Sequence, residues 1–278
     1  MSDTEYDSLL DKLKQMEKST GIVMSNSPTQ NVGTSVIDSI PEIEHSHLML
    51  SLDKVHSIEE IKKFAGNNST VAMMKMDGLT ISVEYTDGNL NRIETRGNGY
   101  RGNDVTHLCS AFINLPAKID KPGKFVIDGE AIITYEDFDR INSKFSNPDD
   151  RYKNPRNLAA GSLNLLDINV AKERHLRFIA WDVIEGDDSN NFIDRLHSAR
   201  DLGFSIVPLH QVSDNYEEVI QTLRETARKL SYPIDGIVIK MVDIAYGKSL
   251  GKTDKFFRNA VAYKFEDDKY PTKLQDVV

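Results

Sequence analysis

The stretch Met74-Lys75-Met76-Asp77-Gly78-Leu79-Thr80 closes an apolar run that begins at Val71. If this run is a strand, its period of two places Lys75 and Asp77 on the same face. Gly78 lets the backbone approach a ligand closely because glycine has no side chain. A lysine held beside phosphates in a dry cleft can lose its proton and act as a nucleophile. Short patterns also arise by chance, so an exposed Lys/Asp pair at a strand end is the competing interpretation.

The composition is that of an ordinary globular chain. Its 278 residues are 39% hydrophobic and 28% charged, and the formal net charge is -9. This charge argues against tight, unaided DNA binding, because proteins that grip DNA gather Lys and Arg on one face. No apolar run approaches the roughly 20 residues that span a bilayer, and the N-terminus lacks the features of a signal peptide. We therefore expect a cytoplasmic protein with no membrane partner.

The N-terminal part of the chain predicts a short helical segment. Asp3 or Thr4 can cap a helix whose apolar residues recur at spacings of three and four, and Gly21 can end it. A linker rich in Ser, Thr, Pro and Gly follows. We divide the chain into this segment with its linker, residues 1–40, and a main domain, residues 41–278.

The main domain predicts an α+β fold with antiparallel sheets rather than a doubly wound fold. Ser57 and Glu60 form a capping-box pattern at the start of a helix, and Asp87-Gly88 predicts a hairpin turn. Further strands are predicted at 79–85, 93–95, 125–133, 177–183, 236–240 and 261–265, and further helices at 136–145, 192–202 and 216–230.

Polar residues interrupt strands or turns at five further places. A carboxylate inside an apolar strand is costly unless it meets a metal, a ribose or a cation. Each place also has an ordinary explanation, such as a hairpin turn, a helix start or a lysine that snorkels from a strand end. The five stretches are Thr95-Arg96-Gly97-Asn98-Gly99, Asp128-Gly129-Glu130, Asn154-Pro155-Arg156-Asn157, Ile237-Val238-Ile239-Lys240 and Ala262-Tyr263-Lys264-Phe265.

Together these motifs resemble those of covalent nucleotidyltransferases, and the chain resembles the adenylation domain of bacterial NAD-dependent DNA ligases. The general resemblance is carried by Lys75-Met76-Asp77-Gly78, Asp128-Gly129-Glu130, Asp235-Gly236-Ile237-Val238-Ile239-Lys240 and Ala262-Tyr263-Lys264. The features that look specific to the NAD-dependent family are Ser51-Leu52-Asp53, Thr95 to Gly99 and Asn154 to Leu163. The resemblance implies an ATP-grasp-like nucleotidyltransferase fold, with antiparallel sheets flanked by helices and a short helical N-terminal segment.

The resemblance implies a role for each motif lysine and carboxylate. Lys75 would attack the α-phosphorus of NAD and leave a lysyl-AMP and nicotinamide mononucleotide. Lys240 and Lys264 would lower the pKa of Lys75 and compensate the phosphate charge. Asp77 and Glu130 would orient the ribose and a metal-bound water. Mg²⁺ is implied because the reacting diphosphate is dianionic.

Further nucleotide contacts are implied by the same resemblance. Trp181 falls where the family has an aromatic residue that stacks on adenine, although packing in the core is the alternative role. Arg96 would lie near the ribose and phosphates. The remaining implied contacts to the nucleotide are Ser51, Leu52, Met74 and Val238, and those to the nicotinamide side are Asp3, Tyr6 and Asp7.

Nicked double-stranded DNA is the implied macromolecular partner, with Arg156 and Arg258 as DNA-binding residues. Three positions depart from the family pattern: Met73, Asn98 and Asn164 replace a usual glutamate, aspartate and arginine. The sequence contains no region that resembles an OB-fold or a zinc finger. We therefore expect either a piece of a longer protein, or one part of a split, viral-type ligase whose second subunit supplies an OB-fold and a DNA clamp.

Two other functions stay open on the sequence alone. One is an ATP-dependent polynucleotide ligase or a capping-type nucleotidyltransferase, because the first helix of the family's nicotinamide-binding module is missing. The other is a non-catalytic nucleotide-binding subunit of a split ligase, which Met73 and Asn164 favour. The retained residues Lys75, Glu130 and Lys240 argue against a non-catalytic role.

Overall fold

The structure is a computed structural model that describes residues 3–29 and 39–265, with side chains from residue 8 onward. Its helices are α1 Asp3–Thr20, α2 Ile58–Ala65, α3 Tyr135–Asn142, α4 Pro155–Leu163, α5 Ile168–Lys172, α6 Phe192–Asp201, α7 Tyr216–Lys229 and α8 Ile244–Ser249. Its strands are β1 Val23–Met24, β2 Glu42–Glu44, β3 Ser51–Val55, β4 Thr70–Met76, β5 Leu79–Thr86, β6 Asn89–Thr95, β7 Arg101–Asn103, β8 Pro116–Lys118, β9 Lys124–Ile132, β10 Arg177–Glu185, β11 Leu209–Val212, β12 Ile234–Met241 and β13 Phe256–Lys264.

The first sheet has six strands in the order β1-β8-β6-β5-β9-β10, and every pair of neighbouring strands in it is antiparallel. The predicted hairpin joins β5 to β6. Asp87 and Gly88 have φ angles of 47° and 76°, so both central residues occupy the left-handed region that a tight hairpin turn requires. This prediction is confirmed.

The second sheet has five strands in the order β11-β4-β12-β13-β3. The pairs that involve β4 and β12 are antiparallel, whereas β13 and β3 run parallel. The predicted α+β fold with antiparallel sheets is therefore confirmed, with this one parallel pair as an exception that the sequence did not predict. A third, two-stranded sheet pairs β2 with β7.

Two apolar cores hold the helices against the sheets. The core of the second sheet contains residues of α2, α6 and α7, and the core of the first sheet contains residues of α3, α4 and α5. The run Val71–Met74 on β4 is wholly buried. Burial on both faces explains why this strand reads as a continuous apolar run instead of alternating.

Helix ends follow the predicted signals. Helix α1 ends at Thr20, and Gly21 has a φ of 71°. Helix α2 begins after Ser57, whose side chain accepts from the Glu60 amide in a complete capping box. Helices α5 and α8 were not predicted, because five or six residues are too few to show a helical period. The division at residue 40 stays a prediction.

Across residues 3–29 and 39–265, no helix is long and apolar enough to cross a membrane.

Candidate active site

A cavity of about 900 Å³ is lined by residues from both large sheets. Most of the predicted nucleotide contacts line it, which brings together positions far apart in the chain. Those lining residues are Ser51, Leu52, Met74, Lys75, Arg96, Glu130, Trp181, Val238, Lys240 and Lys264, and Arg156, a predicted DNA contact, lines the cavity as well. The cavity is therefore the place where the predicted chemistry would occur.

Lys75 lies near the end of β4 with its side chain 24% exposed. Its Nζ is 2.9 Å from Asp235 Oδ1, and Lys264 Nζ is 2.8 Å from Asp235 Oδ2. Burial opposes ionisation of Asp235, but the hydrogen bond from Lys264 and the ion pair with Lys75 hold the pKa of its carboxyl below the ordinary value. One carboxylate thus joins the candidate nucleophile to a second cation.

The backbone of β12 explains how these three side chains meet. Gly236 pairs with Lys75 on β4 and with Lys264 on β13, so the residue before it, Asp235, lies between the two lysines. A Cβ atom at Gly236 would collide with the backbone oxygen of Tyr263. Only glycine therefore lets the two neighbouring strands approach at the point where the lysines converge.

The position predicted for Asp77, on the same face as Lys75, stays a prediction. Strand β4 ends at Met76, and Asp77 Oδ1 accepts a hydrogen bond from Arg156 at 2.8 Å. Lys75 lines the cavity, whereas Asp77 is not among the described residues that line it. Gly78 does line the cavity, but a Cβ atom there would also collide with the backbone oxygen of Ala131. Packing against β9 therefore requires glycine independently of any ligand.

Glu130 is a buried carboxyl on β9. Its side chain accepts a hydrogen bond from Thr80 Oγ1 at 3.2 Å, directly across the β5–β9 pair. Burial raises the pKa of Glu130 to about 7, and the charges of Lys75, Arg156 and Arg96 only partly oppose this rise. Glu130 can therefore change its protonation state near neutral pH.

Lys240, on β12, is also paired with a carboxylate in the cavity. Its Nζ donates to Asp182 in a short contact and lies 4.3 Å from the centre of the Phe192 ring. Both Lys240 and Lys264 therefore have carboxylate partners, which the sequence-based interpretation did not include. The role predicted for them in lowering the pKa of Lys75 stays a prediction.

The cavity is strongly cationic although the whole chain is acidic. Among the residues that the structure describes, eight Lys or Arg side chains line it, against four carboxylates. The cations are Lys54, Lys75, Arg96, Arg156, Lys240, Lys248, Lys252 and Lys264, and the carboxylates are Asp128, Glu130, Asp182 and Asp235. Such a local excess of positive charge suits a phosphate-bearing ligand.

Apolar side chains form the remaining wall of the cavity. Leu52, Met73, Val238 and Trp181 line it. Trp181 also packs against the core of the second sheet while partly buried, so both roles considered for this residue are compatible with its position. Apolar walls beside fixed charges are typical of sites for small molecules such as nucleotides.

Some predicted residues lie elsewhere. Arg258 is exposed on β13 and is not among the described residues that line the cavity. Asp3, Tyr6 and Asp7 belong to helix α1, but their side chains fall outside the described part of the chain.

Sequence reasoning missed Asp235 and Asp182 as partners of the lysines. Asp235 stands in the quoted motif without an assigned role, and Asp182 follows Trp181 in an apolar strand. The signal that found Glu130, a carboxylate within an apolar strand, applies to Asp182 as well.

The fold and the cavity together define a class of protein. Two sheets that enclose a lysine-lined cavity, with the lysine of a Lys-x-Asp-Gly stretch projecting from a central strand, match the nucleotidyltransferase type predicted from the sequence. The profile of the NAD-dependent DNA ligase adenylation domain matches residues 37–268, and the chain belongs to this family.

Curated relatives agree with the family assignment. The chain is 40% identical to a DNA ligase of Lachnoclostridium phytofermentans and 38% identical to a DNA ligase of Ruminiclostridium cellulolyticum. Each match covers 100% of this chain and 43% of the relative, so the chain spans less than half the length of these ligases.

Solved structures that are similar to this chain include mycobacterial DNA ligase D complexed with ATP and MES. That match has a TM-score of 0.42 and 16% identity, and it covers 77% of this chain and 60% of the other.

Proposed function

We propose that this chain transfers the adenylyl group of NAD to Lys75. The observation that carries the proposal is the position of Lys75 Nζ, which is partly buried in the cationic cavity and 2.9 Å from Asp235. The family assignment supports NAD as the AMP donor. The apolar wall and the eight cations suit the base and the phosphates of this substrate.

The chemical step is a displacement at phosphorus. The neutral Lys75 amine donates its lone pair to the α-phosphorus, and an N–P bond forms. The P–O bond to the other half of the diphosphate breaks, and nicotinamide mononucleotide leaves with the electron pair on its phosphate oxygen. Lys75 first loses one proton to solvent to become the neutral amine, and its nitrogen loses a second proton to solvent once the N–P bond has formed, which leaves the phosphoramidate. Asp235 keeps Lys264 as its partner when that charge disappears, so the carboxylate does not become unpaired.

The other lining residues would bind and orient the substrate. Lys240 and Arg96 would compensate charge on the phosphates during displacement. Trp181, Leu52 and Val238 would contact the base. Glu130 would contact the ribose, and Ser51 and Met74 would form the pocket wall. Four residues outside this lining set keep their predicted roles as proposals: Asp77 toward the ribose, and Asp3, Tyr6 and Asp7 toward the nicotinamide side.

Magnesium is proposed as an ion that arrives with the diphosphate. Across residues 3–29 and 39–265, no group of three His, Cys, Asp or Glu side chains could hold a metal ion. Asp77, Asp182 and Asp235 are each paired with a cation. These residues do not fit a protein-held metal, whereas Mg²⁺ is commonly held by substrate phosphates and water.

For the whole ligase we propose that AMP passes from Lys75 to the 5′-phosphate of nicked double-stranded DNA. Arg156 and Arg258 are the proposed DNA contacts in this chain. The relatives are more than twice as long as the matched region. We therefore propose that further protein, either in the same chain or in a second subunit with an OB-fold, clamps the duplex.

Adenylation can be tested directly on the purified chain. We expect NAD to add one AMP to the intact mass and ATP to add none. Lys75→Ala should abolish the gain, whereas the matched control Lys62→Ala, at a surface ion pair, should not change it. Equal modification by ATP would favour the ATP-dependent alternative. No modification by either nucleotide would favour a non-catalytic nucleotide-binding subunit.

A further inference from the structure

His47 and Asp128 form a shielded pair inside the cavity. His47 Nε2 lies 2.9 Å and 3.1 Å from the two carboxylate oxygens of Asp128. The two side chains are only 15% and 3% exposed, and both residues line the cavity. The function proposed above gives neither of them a role.

The pair connects the two large sheets. His47 belongs to residues 45–50, here called the bridging segment, which leads into β3 of the second sheet. His45 in the same segment contacts Glu94 Oε1 at 3.0 Å and donates from Nε2 to the Arg96 carbonyl at 2.9 Å. Two histidines thus fasten the segment to carboxylates of the first sheet. Ser51 and Leu52, which follow the segment, line the cavity.

Asp128 has a second carboxylate close to it. It is the register partner of Asp182 across the β9–β10 pair, and Asp182 accepts from Lys240. An unpaired Asp128 would add negative charge beside the cation that we assign to the phosphates. A protonated His47 removes that charge.

The surroundings favour the protonated form of His47. Burial opposes protonation, but the hydrogen bond to Asp128 and the negative charges of Asp128, Glu94 and Asp182 outweigh it. The pKa of His47 therefore lies above its ordinary value of 6.5. The charged or titratable groups around the ring are Asp128 on β9, Glu94 on β6 with its partner His45, Asp182 on β10 with its partner Lys240, and Arg96 after β6.

We propose that His47 is a positioning residue for the nucleotide. In its protonated form it neutralises Asp128 and holds the bridging segment on the cavity wall, so that the anionic substrate meets Lys240 beside one uncompensated carboxylate fewer, with Asp182 as the partner that Lys240 keeps. This inference rests on the proposed function, because the substrate that it positions is the AMP donor. His47 makes no bond to the reacting atoms in this account.

The consequence is a pH-dependent affinity for NAD. Binding should weaken as pH rises through the deprotonation of His47, by about tenfold for the loss of one compensating charge in a partly open site. The effect should fall on the NAD concentration that gives half-maximal adenylation. The maximal rate need not follow it, because a neutral Lys75 forms more readily at high pH.

Three variants separate charge compensation from a purely structural role. His47→Gln should raise the NAD concentration for half-maximal adenylation about tenfold at pH 6.5. It should also remove most of the pH dependence of this concentration. Asp128→Asn should keep tight binding and become pH-independent, because no charge remains to be neutralised. The double variant should resemble Asp128→Asn. His210→Gln, at an exposed position on β11, serves as the matched control. Glu130 titrates in all of these proteins, so differences between them report the His47 pair.

The protonation of His47 can be measured without catalysis. A ¹H–¹³C NMR titration of the imidazole signals, assigned by the signal missing in His47→Gln, should give a pKa above 6.5 that drops in Asp128→Asn. The proposal is overturned if Asp128→Asn weakens NAD binding as much as His47→Gln does, or if His47 titrates normally. These outcomes are distinct from failure of the proposed function, in which the wild-type chain forms no adduct with NAD.

Discussion

Glu130 illustrates how the site depends on single residues. Its carboxyl lies on a buried strand, where burial raises its pKa to about 7. The polar interruption in the sequence was enough to predict Glu130 as a site residue, since a buried carboxylate is costly unless it meets a ligand or a cation. The same signal applies to Asp182, but the lysine that each carboxylate meets was not predictable. Asp235 reaches Lys75 and Lys264 through strand pairing, and Asp182 reaches Lys240 across the two sheets.

Replacing Glu130 by Gln should stabilise the fold at high pH. A folded-state pKa of about 7, against 4.5 in the unfolded chain, means that the native state binds the extra proton, so stability falls as pH rises between these values. Gln has no charge to bury. We expect a gain in the free energy of unfolding that is small near pH 5 and on the order of 2–3 kcal/mol at pH 8.

Urea denaturation at both pH values measures this gain. The exposed Glu225→Gln provides the control and should show no comparable pH-dependent difference. A constant difference between wild type and Glu130→Gln from pH 5 to pH 8 would mean that Glu130 is ionised throughout.

At the scale of elements, β12 organises the candidate site. It lies between β4 and β13, and Gly236 faces a lysine on each side. The strand itself was predictable from its apolar run, and so were the Asp87-Gly88 hairpin and the capped helix α2. The strand order and the parallel β3–β13 pair were not, because local periodicity carries no information about which strands become neighbours.

Gly236→Ala should damage both the fold and the site. The added Cβ would collide with the Tyr263 backbone oxygen and force β13, which carries Lys264, away from Asp235. We expect a loss of roughly 1–3 kcal/mol in unfolding free energy together with slower adenylation. The helical Gly161→Ala has open space around its new Cβ and should stabilise by about 0.5–1 kcal/mol. Chemical denaturation measures the free energy of unfolding of both variants. The same value for Gly236→Ala as for the wild type would contradict this account.

Loss of the helix cap provides a second test at this scale. Ser57→Ala removes the side chain that accepts from the Glu60 amide at the start of α2. Because α2 packs Ile61 and Ala65 into the core of the second sheet, the lost hydrogen bond should cost about 1 kcal/mol of unfolding free energy. Denaturation curves should show this change, while the NAD concentration for half-maximal adenylation stays at the wild-type value.

At the scale of the whole molecule, the distribution of charge separates two activities. The chain carries a net charge of -9, yet its cavity is lined by eight cations. Composition alone predicted weak independent DNA binding. It could not predict the cationic cavity, because the lysines come from separate strands, from helix α8 and from the residues after it, and gather only in the folded protein.

Adenylation and nick joining by this chain should therefore respond differently to salt. The cavity binds a small substrate with partly buried charges, which are weakly screened, whereas a duplex is held through exposed phosphate contacts. Parallel assays over a salt series should show nearly constant lysyl-AMP formation and slow, steeply falling nick joining. Rapid multiple-turnover sealing at physiological salt would show that the chain grips DNA unaided.

The site of the covalent adduct tests the central claim most directly. The chain is incubated with NAD, digested and mapped by tandem mass spectrometry. The geometry at β4 and β12 predicts AMP on Lys75 and unmodified Lys240 and Lys264, because Lys75 is the proposed nucleophile and the other two lysines compensate charge. AMP on either of those two lysines, with Lys75 unmodified, would contradict the account.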